Sequence, residues 1–123
     1  MDFPVYLDRF LNNYLPNTRN CSSHTFQSYC DTFSQLLDFM RDEEHINAEL
    51  IQLSDFDNRL VERFLTYIEQ KRGCSAATRN VRLSAIHSFF RYLQYDHPEF
   101  LKQWGTILGI PFKNASHKMM TFL

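Results

Sequence analysis

The stretch Gly73-Cys74-Ser75-Ala76-Ala77-Thr78-Arg79-Asn80-Val81-Arg82-Leu83-Ser84-Ala85-Ile86-His87-Ser88-Phe89-Phe90-Arg91-Tyr92-Leu93 reads as one long helix. At about 100° per residue, Leu83, Ile86, Phe90 and Leu93 share one side, and Ala77, Asn80, Val81, Ser84, His87 and Ser88 fall on the other. Ser75 supplies an N-cap oxygen, and Gly73 suits the left-handed residue that closes a preceding helix. The outward side is short and uncharged, where an ordinary exposed helix carries long charged residues. Two arrangements account for this. A helix entering a DNA major groove needs short side chains at the contact and basic or hydroxyl groups at its edges; a helix packed on both sides needs small residues too. The pattern alone leaves both open. Arg72, Ser75, Thr78, Arg79 and Arg82 gather at the N-terminal end, where the helix dipole adds to the attraction for phosphate.

Outward from this stretch, apolar residues recur at three- and four-residue intervals and strands are not expected. A first helix over residues 3–15 carries Leu7, Phe10, Leu11 and Tyr14 on one stripe and ends at Pro16, which cannot continue the helix. Ser22 or Ser23 caps a second, with the stripe Phe26, Tyr29, Phe33, Leu36, Leu37 and Met40, fading at Asp42-Glu43-Glu44. Ser54 or Asp55 caps a third, with Phe56, Leu60, Val61, Phe64, Leu65 and Ile68 inside. The fourth spans residues 75–95. His97-Pro98 starts a fifth over residues 98–108, with Phe100, Leu101, Trp104 and Ile107 apolar and the proline in the first turn. The expected fold is therefore all-α, a compact bundle of four to five helices over residues 1–111. Residues 112–123 read as the start of a linker.

At 123 residues the chain suffices for one domain with a real core, and twelve Phe with six Tyr supply the bulk. No apolar run approaches the length of a membrane helix, and Asp2 stands where a signal peptide would carry positive charge, so no membrane association is expected and the location is read as cytoplasmic. Cys21, Cys30 and Cys74 are odd in number and widely spaced, which fits reduced thiols. The histidines His24, His45, His87, His97 and His117 stand singly; no metal, no cofactor and no catalytic residue is assigned. The net charge of −1 hides an asymmetry, −7 over residues 1–57 and +6 over residues 58–123. Between Gln70 and Tyr95 stand Lys71, Arg72, Arg79, Arg82 and Arg91 with no acid, the best candidate for an anion-facing surface.

The segment C-S-A-A-T-R-N-V-R-L-S-A-I-H-S-F-F-R-Y-L resembles the last long helix of the core-binding domain of tyrosine recombinases and phage-type integrases, a SAM-like N-terminal domain. S-S-H-T-F-Q-S-Y, residues 22–29, resembles the start of that domain's first groove-contacting helix, and I-P-F-K, residues 110–113, its exit toward the catalytic domain. The resemblance implies a helical bundle that forms half of a C-shaped clamp on double-stranded DNA, with two helices crossing the major groove. It places His24, Thr25, Gln27 and Ser28, and Arg72, Thr78, Arg79, Asn80, Arg82 and Ser84, at or near DNA. Thr25, Arg72 and Thr78 look like phosphate contacts, and Gln27, Asn80 and Ser84 like readers of base edges. On this basis Arg72, Thr78, Arg79 and Asn80 are expected to be accessible and on one side with Thr25 and Gln27.

The family's catalytic His-x-x-Arg pair is missing, since none of the five histidines is followed by arginine at the third position. The resemblance therefore implies that catalysis belongs to a separate C-terminal catalytic domain, with a homotetramer assembled on DNA. The acidic first half is unusual for a DNA clamp, so Asp31, Asp38 and the 42–44 run are expected to face away from the duplex or toward a partner protomer. The competing expectation is a helical protein-interaction module with no nucleic-acid role.

Overall fold

A computed structural model describes residues 2–18 and 21–114. Five α-helices follow in order: α1 Phe3–Arg9, α2 Ser23–Asp42, α3 Asn58–Gln70, α4 Ala76–Gln94 and α5 Leu101–Leu108. Among the described residues there is no strand, only an isolated bridge between Asp2 and Gln52. The all-α bundle expected from the periodicity is the one observed.

Helices α1 to α4 each begin where a side-chain oxygen or a proline serves the first turn, and α5 follows directly on a 3-10 turn that Pro98 opens. Pro4 opens α1, which continues as a π turn, Phe10–Tyr14, and a 3-10 turn, Leu15–Asn17, around Pro16. The span matches the expected first helix, but its end loosens because proline offers no N–H to an α-helical ladder. Ser22 accepts the Thr25 N–H at 3.1 Å to start α2, and Ser75 accepts the Thr78 N–H at 3.1 Å to start α4. Gly73, at φ 65°, turns the chain out of α3 so that the Cys74 N–H reaches the Ile68 carbonyl at 3.2 Å.

The start of α3 differs from expectation. Its cap is Asp57, which accepts the Leu60 N–H at 3.0 Å, not Ser54 or Asp55. Those two residues lie in a separate 3-10 turn, Leu53–Asp55, where Asp55 accepts the Gln52 N–H at 2.9 Å. Two acidic acceptors so close in sequence each close a different turn, and Phe56 between them fills the core instead of starting the helix. A second correction concerns α2. Phe39, outside the expected stripe, is buried against Phe64 and Tyr67 at 5.7 and 5.4 Å, while Phe26, Tyr29 and Leu37 are only half-buried.

Aromatic rings knit the core together, although most of the buried apolar residues are aliphatic. Phe89 packs edge-on against Phe3, Phe10 and Phe33, at 5.7, 5.2 and 5.3 Å. Phe90 bridges Phe56 and Trp104 at 5.5 Å each. Such pairs contribute about 0.5–1.5 kcal/mol each beyond simple area burial. Helix α4 runs through the middle, packed by α2, α3 and α5. Its two halves differ: Ala85, Ile86, His87, Phe89 and Phe90 are all buried, whereas Ala77, Val81 and Ser84 on the earlier turns are exposed. Packing on both sides therefore accounts for the short side chains of the second half, while those of the first half are left open to solvent. His87, expected outward, is a correction: it is buried with its Nε2–H donating to the Ile107 carbonyl at 2.9 Å.

Candidate nucleic-acid interface

The open half of α4 faces the first turns of α2 across a groove of about 340 Å³ lined by His24, Thr25, Ser28, Tyr29, Val81 and Ser84. Four of these six are residues that the resemblance placed at DNA. The walls carry the hydroxyls of Thr25, Ser28 and Ser84, the rim carries His24, and no acid lines the groove. At its inner end the Tyr29 hydroxyl donates to Ser88 Oγ at 3.0 Å, which ties α2 to α4. Arg82 reaches across to the Ser28 carbonyl at 3.4 Å, and its Nε is buried with no hydrogen-bond partner among the described residues. That guanidinium is weakly used by its own chain.

The other candidates sit differently. Gln27 is exposed on α2, its amide donating to Asp31 at 2.9 Å. Thr78 is half-buried, and Ser75 Oγ donates to its hydroxyl at 3.3 Å. Arg72 is exposed but donates to Asp38 at 2.8 Å, with its guanidinium 5.8 Å from the Tyr67 ring. At a rise of about 1.5 Å per residue, Asp38 lies about 20 Å along α2 from Thr25. Arg72 is thus held well away from the groove.

Arg79 and Asn80 depart furthest from expectation. Arg79, expected accessible, is buried, and donates to the Pro111 carbonyl at 3.1 Å and to Asn80 Oδ1 at 3.2 Å. The Asn80 amide pairs with the backbone of Lys113 in both directions. Its Nδ2 donates to the Lys113 carbonyl at 2.8 Å, and its Oδ1 accepts the Lys113 N–H at 2.9 Å. Lys113 Nζ then donates to Glu69 at 2.8 Å, and Phe112 lies 5.4 Å from the His87 ring. The side-chain amide expected to face a base edge is occupied by the backbone N–H and carbonyl of Lys113, since an amide offers a donor and an acceptor side by side. Residues 111–114 leave α5 clasped to α4; residues 115–123 of the expected linker lie outside the described residues.

The acidic half meets the basic half inside the bundle. Asp38 pairs with Arg72 and Glu44 with Arg63, at 2.8 and 2.9 Å, so these acids neutralise cations of the basic half within one chain. Val81 and Tyr29 were not nominated from sequence. Val81 stood on the outward side of the helical wheel, but nothing set it apart from a packing residue; Tyr29 stood on the apolar stripe of α2. Burial pushes the Cys74 thiol and the Cys30 thiol above the ordinary cysteine value, so neither is an activated nucleophile. Among the described residues no group of three His, Cys, Asp or Glu could hold a metal, and no helix is long and apolar enough to cross a membrane.

Comparison with known proteins identifies the family. Residues 7–96 match the family described as phage integrase, N-terminal SAM-like domain. The chain is 38% identical over 117 residues to putative integrase/recombinase y4rC of Sinorhizobium fredii strain NBRC 101917 / NGR234, covering 95% of this chain and 35% of that protein. It is 32% identical over 109 residues to putative integrase/recombinase y4rD of the same strain, covering 89% and 39%. It is 36% identical over 89 residues to tyrosine recombinase XerC of Pelotomaculum thermopropionicum strain DSM 13744 / JCM 10971 / SI, covering 72% and 28%. The chain thus spans little more than a third of the length of these relatives at most. No solved structure matches significantly. The match over residues 7–96, with which the five-helix bundle is consistent, shows that the chain belongs to the phage integrase N-terminal SAM-like domain family.

Proposed function

We propose that this chain is the double-stranded DNA-binding, N-terminal clamp domain of a cytoplasmic tyrosine-type recombinase or integrase, and that it seats the α2–α4 groove on the duplex at a recombination core site. The observation that carries this reading is the groove itself: an acid-free channel with hydroxyl walls, flanked by a guanidinium with little to do at home. Short hydroxyls suit base edges and phosphate oxygens alike, and Arg82 supplies the charge that phosphate contacts need. In this reading Thr25, Thr78 and Arg82 contact phosphate, Gln27, Ser28 and Ser84 face base edges, and His24 sits at the rim. Arg72 serves phosphate by exchanging Asp38 for the DNA backbone. Arg79 and Asn80 act on the exit segment, not on the duplex.

The breaking and rejoining of DNA belongs, in this reading, to a C-terminal catalytic domain of a longer protein, and four such proteins assemble on the site. The third or so of each relative that the chain matches, and the lack of a His-x-x-Arg pair, support this division. The chain alone therefore forms no covalent adduct with DNA. The test of the DNA role is fluorescence anisotropy of a labelled duplex across a salt series. Binding should weaken as salt rises, because neutralised phosphates release counterions, and Arg82→Ala should flatten that dependence by about one phosphate's worth. A chain that binds no duplex even at low salt, yet captures a helical partner through the same groove, is a protein-interaction module instead.

A further inference from the structure

Val81 is an exposed apolar residue in the first half of a long helix, 48% accessible, and it lies in the groove among the hydroxyls of Thr25, Ser28 and Ser84. Single exposed apolar residues are ordinary on protein surfaces. This one is set apart by three features. Its neighbours on the same face, Ala77 one turn before and Ser84 one turn after, are exposed and short, so nothing shields it. A β-branched residue is a poorer helix former than the Lys, Glu or Gln usual at such a position, so local helix stability does not favour it. And its χ1 is nearly fixed in a helix, so its two methyls stand in one place with little freedom left to lose on contact.

Resting on the DNA-binding reading above, we propose that Val81 is a specificity-determining residue that packs against the C5-methyl of thymine. In the major groove of B-DNA the base edges present hydrogen-bond donors and acceptors, and the thymine methyl is the one apolar group among them. A rigid apolar knob ringed by hydroxyls matches that edge: the methyl meets Val81 while Ser84 or Ser28 serves the neighbouring polar atoms. Opposite a cytosine, the same valine would lie over the N4 amino group and leave its donor without a partner. The groove is therefore expected to favour sites with thymine at one or two defined positions.

The test replaces thymine by uracil, which differs only in the missing methyl. Duplexes are selected from a random-sequence library on the immobilised 123-residue chain at low salt, then resynthesised with deoxyuridine at each thymine in turn and measured by anisotropy. For the unmodified chain, deoxyuridine at one or two positions should weaken binding about fourfold, the worth of one buried methyl. Val81→Ala should bind the thymine and uracil forms of those positions alike; the change is exposed and to a better helix former, so the fold is kept. If the unmodified chain binds duplex but no uracil position matters, or if Val81→Ala still discriminates, the Val81 assignment is wrong while DNA binding stands. If no duplex is enriched or bound at all, the DNA-binding reading falls and takes this assignment with it.

Discussion

Two neighbouring regions of α4 carry similar residues and do opposite things with them. Val81 and Ser84 face an open groove in which the hydroxyls of Ser84 and Thr25 have few partners of their own. Immediately before Val81 in the sequence, Arg79 and Asn80 spend their side chains on the backbone of Pro111 and Lys113. Both regions lie within the residues that match the family, 7–96. The difference is what lies opposite: α2 stands back far enough to leave a channel, whereas the exit segment lies directly on the clasp. A polar group is available to a partner only if the fold has not already satisfied it, since a buried or half-buried donor left unpaired is costly.

The largest effect should come from breaking the buried member of the clasp. Arg79→Ala removes two hydrogen bonds from a charged, buried side chain and should cost about 2–3 kcal/mol of folding stability, measured by urea denaturation. A loss under half a kcal/mol would mean that the clasp carries no weight in the fold. Asn80→Ala should cost about 1 kcal/mol, because the freed Lys113 peptide can reach water, and should speed hydrogen exchange of the Lys113 amide at least tenfold while core amides of Leu83 and Ile86 keep their protection. An unchanged Lys113 amide would contradict the pairing.

The groove should behave in the reverse way. Ser84→Ala, at an exposed position without a structural partner, should change stability by less than about 0.5 kcal/mol yet weaken duplex binding by about 1 kcal/mol. Equal losses in both would make Ser84 a structural residue and erase the contrast.

A pH titration sharpens the boundary between the two regions. Burial, the larger cause, and the nearby Arg91 charge lower the His87 imidazole below its ordinary value of 6.5, against an opposing hydrogen bond to Ile107. The unfolded chain therefore takes up a proton before the folded one does. Stability contributed by neutral His87 is complete above about pH 6.5 and is lost as the pH falls toward the folded value, levelling off once the folded imidazole also protonates. Denaturation midpoints between pH 7.5 and about 4.5 should show this loss, and His87→Gln should remove its share of the slope. The smallest effect belongs to the exposed end of the clasp: Glu69→Gln, which breaks the ion pair with Lys113, should cost about 0.2–1 kcal/mol and less at high salt.

Most of the fold was legible because helix period, caps and punctuation agree along the chain. Ser22, Ser75, Gly73 and Pro98 each mark an element end that the structure shows. The cap of α3 was not, because Asp55 and Asp57 are chemically equivalent acceptors and only the tertiary position of Phe56 decides between them. Phe39 escaped because α2 is buried on two sides, against α4 and against α3, and a single-stripe reading recovers one of them. At the site, the resemblance named His24, Thr25, Ser28 and Ser84, which the structure brings to one groove. It could not separate them from Arg79 and Asn80, whose partners lie some thirty residues away at 111–113 and are backbone groups that every sequence contains. Sequence shows which groups can bond, and packing decides which are already bonded.

The most direct measurement compares the two regions in one assay: duplex binding by anisotropy at low and moderate salt for the unmodified chain, for Thr25→Ala with Ser84→Ala, and for Asn80→Ala, with folding of each checked by circular dichroism. The groove variant should lose at least about tenfold in affinity, equivalent to about 1.4 kcal/mol, while Asn80→Ala stays within about twofold of the unmodified chain. Tenfold weakening by Asn80→Ala with the groove variant unaffected would place DNA on the clasp and contradict the assignment of the groove.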